Sequence, residues 1–179
     1  MNRSIAHFEL QFPSDEIPGL ASRFSYPKDD QPCHAAGTEA RRRGYYLRDE
    51  LVLVCEWKTG RSRRLVARNT EEDIEFVTGE ALSAPDEPTR MATMIWLWGV
   101  DVPSASALLY FAFPDDYPII DVRALESLGQ PQPRYYSIKF WTEYLDACRT
   151  LAEELGVSIR TLDKALWQAS VEMRPQAAS

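Results

Sequence analysis

The sequence predicts an all-α fold, a compact helical domain built around two helices that a tight hairpin joins. Apolar residues recur at helical spacing through most of the chain, and capping residues, prolines or glycines stand at the ends of these stretches. The chain has 179 residues, enough for one domain with a sizeable core. We therefore expect an irregular arm over residues 1–37, a helical domain over 38–172 and a frayed tail over 173–179.

The arm combines a strand-like pattern with residues that interrupt it. Phe8, Leu10 and Phe12 alternate with polar residues as in a short strand. Four prolines disfavour a longer regular element: Pro13, Pro18, Pro27 and Pro32. We expect an extended segment packed on the helical body.

Helical spacing predicts the elements between the arm and the hairpin. A helix begins near Thr38, is interrupted or restarted near Gly44, and runs to Trp57. Residues 61–68 are rich in arginine and are expected to form a loop or a short helix. Thr70 precedes two glutamates, which is a start signal for the next helix.

The first helix of the hairpin is predicted from Asp86 to Trp98. Asp86 is a suitable cap, Pro88 fits the first turn, and Met91, Met94 and Trp98 recur at helical spacing. Gly99 is expected to end this helix, because glycine reaches the left-handed backbone conformation without a Cβ clash.

The second helix of the hairpin begins near Pro103, whose missing N–H costs nothing in a first turn, and ends before Pro114. Ile119 and Ile120 then form an extended buried pair. Asp121 stands where it would cap a third helix, which Gly129 ends.

Two further helices complete the predicted domain. The first carries an apolar stripe that Gly156 ends, and Ser158 or Thr161 can cap the second. The stripe consists of Trp141, Tyr144, Leu145, Cys148, Leu151, Ala152 and Leu155.

The charge pattern places a basic cluster on an acidic protein. The formal net charge is −7, which argues against strong non-specific affinity for DNA. Basic residues nevertheless crowd the stretch of residues 41–68: Arg41, Arg42, Arg43, Arg48, Lys58, Arg61, Arg63, Arg64 and Arg68. We expect these residues to form either a basic face toward DNA or a solvated surface.

Neither the cysteines nor the apolar runs point to a metal centre or a membrane. Cys33, Cys55 and Cys148 are widely spaced, so we expect reduced, structural thiols and no metal. No segment is long and apolar enough to cross a membrane, and the first residues lack the apolar core of a signal peptide. A cytoplasmic protein is expected.

The stretch from residue 86 to 129 resembles the helix-hairpin-helix DNA glycosylase superfamily (HhH-GPD), which includes endonuclease III, the adenine glycosylase MutY and the 8-oxoguanine glycosylases. The resemblance is carried by Gly99-Val100 with Ala105 in the hairpin and by Ile119-Ile120-Asp121-Val122-Arg123 about twenty residues later. The stretch from Leu162 to Trp167 is similar to a signature of small bacterial members.

The resemblance implies roles for residues of the hairpin and of the helix after it. The hairpin would hold a phosphate of double-stranded DNA through its backbone amides, and Asp121 would support departure of the excised base. The implied phosphate-binding residues are Gly99, Val100, Asp101, Val102, Pro103 and Ser104.

Two positions in the hairpin depart from the family pattern. Asp101 stands where the second hairpin glycine is usual and places a negative charge near the expected phosphate. Pro103 stands where bifunctional members carry a lysine that attacks the sugar. The sequence therefore does not imply a lyase that acts through that position. A four-cysteine iron–sulfur cluster, which some members carry, is not expected either, because the chain has three cysteines.

Further residues are candidates for contacts to the base and to the DNA backbone. In the resembled family, the helix carrying Glu56, Trp57 and Lys58 lines the base pocket, where Trp57 would stack on a flipped base. Candidates for backbone contacts are Arg41, Arg42, Arg43, Arg61, Arg63, Arg64 and Arg123.

Each candidate also has a structural alternative. Asp121 can cap a helix without catalysing anything, the hairpin can be a tight connection, and Trp57 can belong to the core. The sequence thus predicts a monofunctional DNA glycosylase that uses Asp121 and needs no cofactor. A non-catalytic nucleic-acid-binding module and a protein-interaction protein remain as alternatives.

Overall fold

The computed structural model describes residues 7–174, and within this range the protein is helical, with no β-strand. The all-α prediction is confirmed. The helices are α1 (Ile17–Ser22), α2 (Gln31–Arg43), α3 (Arg48–Lys58), α4 (Arg63–Val66), α5 (Glu71–Ser83), α6 (Glu87–Met94), α7 (Val102–Ala112), α8 (Val122–Ser127), α9 (Ile138–Leu155) and α10 (Ile159–Met173). No helix in the described range combines the length and apolarity needed to span a bilayer.

Helix α7 lies at the centre of the core. Every residue of α7 except Pro103 is buried, and helices α2, α3 and α6 pack against it. Helix α2 approaches very closely at Gly37, where an added Cβ would lie 2.1 Å from the Phe111 carbonyl oxygen. Helices α8 and α1 pack on α10, which completes the other half of the domain.

The region predicted as an irregular arm contains two helices. Pro18 and Pro32 lie in the first turns of α1 and α2, where a proline needs no hydrogen-bond acceptor for the N–H that it lacks. The interpretation of these prolines as interruptions was wrong. Residues 7–12 lie outside any helix, and the Glu9 and Gln11 amides donate there to the Leu128 and Ser127 carbonyls at 3.1 and 2.9 Å.

Helix α6 ends at Met94, earlier than the predicted end at Trp98. The buried side chain of Asn69 binds the backbone of Trp98 at two points, accepting from its N–H at 2.8 Å and donating to its carbonyl at 2.9 Å. Residues 95–99 form turns outside the helix, and Asn69 holds the Trp98 backbone in this conformation. Gly99 then adopts φ +79°, as its position in the hairpin requires.

The predicted helix caps are confirmed at every described helix for which the sequence indicated one. Thr70, Asp86, Asp121 and Ser158 each accept a hydrogen bond from a backbone N–H in the first turn of the adjoining helix. Of the two residues proposed to cap the last helix, Ser158 is the cap. The three cysteines are buried and not joined by a disulfide.

Replacing Gly99 by alanine is predicted to destabilise the protein by about 3 kcal/mol. The new Cβ would lie 2.7 Å from the Val66 backbone nitrogen and 2.9 Å from the Leu65 Cβ, in a backbone conformation that alanine disfavours. Urea unfolding gives the change in the free energy of unfolding.

The matched control is Gly156→Ala. Gly156 also has a positive φ of 65°, but nothing lies within 4 Å of a Cβ built there. Gly156→Ala should therefore lower the free energy of unfolding through backbone strain alone, by about 1–2 kcal/mol. Equal losses for the two variants would show that the close approach of the hairpin to α4 contributes nothing.

Candidate functional site

An open cleft of about 510 Å³ runs between the hairpin, the end of α3 and the start of α8. The Asp121 side chain lies where this cleft meets a smaller cavity of about 20 Å³, which has room for about one water molecule. We call this smaller cavity the aromatic pocket. It is lined by Phe24, Tyr26, Trp57, Lys58, Ile119, Asp121, Ala124, Asp163 and Trp167.

Both oxygens of the Asp121 carboxylate are engaged. Oδ1 accepts from the backbone amides of Arg123 and Ala124 at 3.0 and 2.9 Å, which caps α8. Oδ2 accepts from the Lys58 ammonium at 3.1 Å. The cap orients the carboxylate. Its other oxygen, Oδ2, faces Lys58, the one cation among the described residues that line the aromatic pocket.

The segment before Asp121 is held by side chains from three helices. The Ile120 N–H donates to Ser106 Oγ of α7 at 3.1 Å, and the Tyr144 hydroxyl of α9 donates to the Ile119 carbonyl at 2.9 Å. The Ile119 N–H donates to Asp163 Oδ1 of α10 at 2.7 Å. The position of Asp121 is therefore set by buried hydrogen bonds as well as by its own cap.

Lys58 is the last residue of α3, and its side chain is 9% exposed. A cation is favourable at a helix C-terminus, where unsatisfied carbonyl groups carry partial negative charge. A second lysine, Lys28, donates to the Glu56 and Trp57 carbonyls at the same helix end. These contacts fix the end of α3, and with it Lys58, beside Asp121.

Four aromatic rings form the wall of the pocket. The Tyr26 ring lies 4.7 Å from Trp57 and 5.3 Å from Trp167, centroid to centroid, and Phe24 lies 5.3 Å from Trp167. The Arg123 guanidinium covers the Trp167 ring at 5.2 Å. The pocket combines flat apolar surfaces with two carboxyl groups and one ammonium group.

Of the three base-pocket candidates, Trp57 and Lys58 line the pocket and Glu56 does not. Glu56 forms an ion pair with Arg63, with 2.7 Å between Oε1 and Nε. Trp57 belongs both to the core and to the pocket wall, because its ring also packs edge-on against Phe111.

The hairpin offers fewer free amides than the sequence suggested. Asp101 caps α7 by accepting from the Ser104 N–H at 2.9 Å, and Pro103 has no N–H. The Val102 N–H is then the first-turn amide of α7 that has no partner within the described chain. Gly99, Val100 and Asp101 do line a shallow cleft together with Arg61.

The arginines predicted to contact the DNA backbone do not form one surface. Arg61 and Arg123 line the open cleft. Arg41, Arg42 and Arg43 lie toward the other end of α7, with Arg41 packed over Phe113 at 5.3 Å. Two of these are neutralised by partners, Arg42 by Glu39 and Arg43 by Glu50.

The arginines of α4 also lie outside the large cleft. Arg63 pairs with Glu56, and Arg64 is exposed. The structure therefore brings Arg61 and Arg123 to the candidate site and leaves the other arginine candidates away from its lining.

Asp163 is a member of the pocket that the sequence interpretation missed. It is 9% exposed and lies on α10 between Leu162 and Ala165, both fully buried. An acidic residue within an apolar helical stripe was the available signal. Tyr26, Phe24 and Trp167 were also missed, because they come from segments distant in sequence.

The environment of Asp163 favours its neutral form. Burial raises the pKa of its carboxyl group to about 7, and the negative charge of Asp121 adds to the increase. The Ile119 N–H and the ammonium groups of Lys58 and Lys164 oppose it. The carboxyl group of Asp163 is thus poised to change charge near neutral pH.

No protein-family model matches the sequence, and no curated protein matches it. A solved structure that matches is the crystal structure of a Methanocaldococcus jannaschii 8-oxoguanine glycosylase/lyase in complex with a 15mer DNA containing 8-oxoguanine. The match has 19% sequence identity, covers 91% of each chain and has a TM-score of 0.46.

Asp163→Asn is predicted to change how stability depends on pH. The pKa is about 7 in the folded protein against a usual value of 3.8, so the folded state holds a proton that the unfolded state has lost between these values. Stability therefore falls as pH rises from about 4 to about 7, by about 1.4 kcal/mol per pH unit. The asparagine variant lacks this contribution.

Urea unfolding of both proteins between pH 5 and pH 8 measures the difference. The wild type should lose stability relative to Asp163→Asn as pH rises toward 7, and the difference should be constant above pH 8. Parallel curves across the whole range would contradict a raised pKa at Asp163.

Proposed function

We propose that this protein is a monofunctional DNA glycosylase that excises a damaged, mismatched or modified base, with Asp121 as the catalytic carboxylate. The observation that carries the proposal is the position of Asp121. Its carboxylate lies between an aromatic pocket and an open cleft, beside a helical hairpin and held in place by its own cap. The sequence resemblance over residues 86–129 supports the same function.

The chemistry required of Asp121 is electrostatic. As a base leaves C1′ of the sugar, the sugar gains the positive charge of an oxocarbenium ion, and a fixed carboxylate nearby stabilises it. Oδ2 is turned away from the cap toward Lys58 and is the oxygen that can meet that charge, whereas Oδ1 stays on the backbone of α8. The cap and the catalytic role thus use different oxygens.

The proposed enzyme leaves an intact abasic strand. Pro103 has no amine, and the amine in the pocket belongs to Lys58, which pairs with Asp121. While it stays in this ion pair Lys58 is protonated, and a protonated amine has no lone pair with which to attack the sugar. Strand cleavage then requires added alkali.

Duplex DNA is the proposed partner, and the cleft is where its backbone would lie. Arg61 and Arg123 supply positive charge at the cleft, and the cleft borders the start of α7 at Asp101 and Pro103. Phosphates favour such positions because helix N-termini carry partial positive charge. Asp101 opposes this interaction, since its exposed carboxylate lies in the same cleft.

The pocket must open before a base can enter. Its volume of about 20 Å³ is far below that of a nucleobase. Phe24 and Tyr26 belong to the connection between α1 and α2 and not to a helix, so theirs are the rings that would move aside. A flipped base would then replace these rings as the partner of Trp57 and Trp167.

A non-catalytic DNA-binding module is the second candidate, and one observation favours it. Both oxygens of Asp121 have partners, and the pocket is nearly filled by aromatic rings. A protein that binds DNA through the cleft alone would need neither a free carboxylate nor an open pocket. Such a module would bind DNA equally well with and without Asp121.

Asp121→Asn is predicted to abolish base excision while the protein stays folded. Asparagine caps a helix about as well as aspartate, so the loss would reflect the missing charge. The assay incubates protein with duplexes that carry uracil, 8-oxoguanine, mismatched, alkylated or phage-type modified bases, and then cleaves abasic sites with alkali.

The matched control is Asp86→Asn. Asp86 caps α6 through the Thr89 N–H at 2.8 Å but lies outside the pocket, so its variant should retain full activity. Activity that survives in Asp121→Asn would refute the catalytic assignment. Strand cleavage without alkali, or a borohydride-trapped adduct, would refute the monofunctional one.

Arg61→Gln is predicted to weaken binding to duplex DNA and to lower its salt dependence. Loss of one phosphate contact reduces the slope of log affinity against log salt by about 1. Fluorescence anisotropy at several salt concentrations measures this slope. Arg42→Gln, which removes a guanidinium paired with Glu39 away from the cleft, should leave the slope unchanged.

A further inference from the structure

Asp163 is a buried carboxyl group that takes no part in the electrostatic role proposed for Asp121. It lies on α10 and lines the aromatic pocket together with Asp121 and Lys58. Its Oδ1 accepts from the Ile119 N–H at 2.7 Å. Within the described residues this is the hydrogen bond that Asp163 makes, and it uses one of its two oxygens.

A purely structural role does not require a carboxyl group at this position. The Ile119 N–H needs one acceptor, which an asparagine or a serine can provide without bringing an ionisable group into the core. A buried carboxyl group costs free energy when it ionises. A buried carboxyl group that borders a pocket, despite this cost, is a candidate for a catalytic role.

The charged and titratable groups around Asp163 keep its proton near neutral pH. Asp121 at the start of α8 repels a negative charge, whereas Lys58 of α3 and Lys164 of α10 attract one. The other titratable groups coupled to it are Tyr110 of α7 and Tyr144 and Cys148 of α9, whose own pKa values burial raises, so they stay neutral. Burial dominates, and the pKa is about 7.

We propose that Asp163 is the hydrogen-bond and proton donor to a nucleobase held in the aromatic pocket. Asp163 thereby complements Asp121, one carboxyl group acting on the base and the other on the sugar. This proposal rests on the proposed glycosylase function and names the group that activates the leaving base.

The overall reaction is hydrolysis of the bond between the base and C1′. The C1′–N bond breaks and its electron pair stays with the base, while the Asp163 proton passes to a ring nitrogen or an exocyclic oxygen of that base. Water then forms the new bond to C1′ and releases a proton to solvent, and Asp163 regains a proton from solvent. The products are the free base and an abasic sugar.

The donor determines the class of base for which the site is suited. A neutral base is a poor leaving group and gains from protonation. A base that already carries positive charge, such as 7-methylguanine, leaves as a neutral molecule without an added proton. Asp163 therefore indicates a neutral lesion or mismatched base as the substrate.

The test compares wild type and Asp163→Asn in single-turnover excision between pH 5.5 and pH 9, on the neutral-base duplex that the panel identifies and on a 7-methylguanine duplex. For the neutral base, the wild-type rate should fall tenfold per pH unit above about 7. Asp163→Asn should be at least about 100-fold slower at pH 6 and lack this fall, with unchanged DNA affinity. On 7-methylguanine the two proteins should be similar.

An equal loss on both duplexes would overturn the donor role, because it would reflect misplacement of Asp121. An unchanged rate and pH profile in Asp163→Asn would overturn it as well. Asp163→Glu, which restores an acid, should recover part of the rate on the neutral base.

A binding measurement separates this proposal from the glycosylase proposal. Free adenine and uracil are titrated into each protein while tryptophan fluorescence is followed, since Trp57 and Trp167 line the pocket. The wild-type Kd should rise tenfold per pH unit above about 7, and that of Asp163→Asn should not. If the wild type shows this pH dependence but excises no base from any duplex, the donor role of Asp163 is supported and the glycosylase function is refuted. If neither free base binds, or if both proteins show the same pH dependence, the donor role is refuted.

Discussion

The burial of α7 is the constraint on which the rest of the structure depends. Every residue of this helix except Pro103 is buried, and α2 comes very close to it at Gly37, whose missing side chain lets the two backbones approach at Phe111. Ser106 is buried within α7, and its hydroxyl holds the Ile120 N–H. The central helix therefore positions the segment that ends in Asp121, and the position of the candidate site depends on the packing of the core.

The site is built where three helix ends meet. The C-terminus of α3 brings Lys58, the N-terminus of α8 brings Asp121, and the N-terminus of α7 brings Asp101. Helix ends expose backbone groups with partial charges, which explains why charged side chains collect there. The same local stabilisation that a capping aspartate provides also holds its carboxylate in a fixed orientation for chemistry.

Local pairing determines how much of the protein's charge is available to a ligand. Arg42, Arg43 and Arg63 each contact a glutamate, so their positive charge is largely cancelled at close range. Arg61 and Arg123 line the cleft, where the second also stacks on Trp167. An acidic protein can thus present a small basic surface whose extent depends on which arginines have acidic neighbours.

The sequence by itself determined the fold class and the caps of α5, α6, α8 and α10, Asp121 among them, because these depend on residues close together in the chain. It did not determine that helices begin near Pro18 and Pro32. A proline interrupts a helix when helical residues precede it, but it can begin a helix when they follow it, and the sequence alone did not distinguish the two cases. Tertiary structure alone decided the composition of the pocket. Tyr26, Trp57, Asp163 and Trp167 meet there because α3 and α10 pack around the segment that α7 holds, and no local pattern encodes contacts between residues so far apart in the chain.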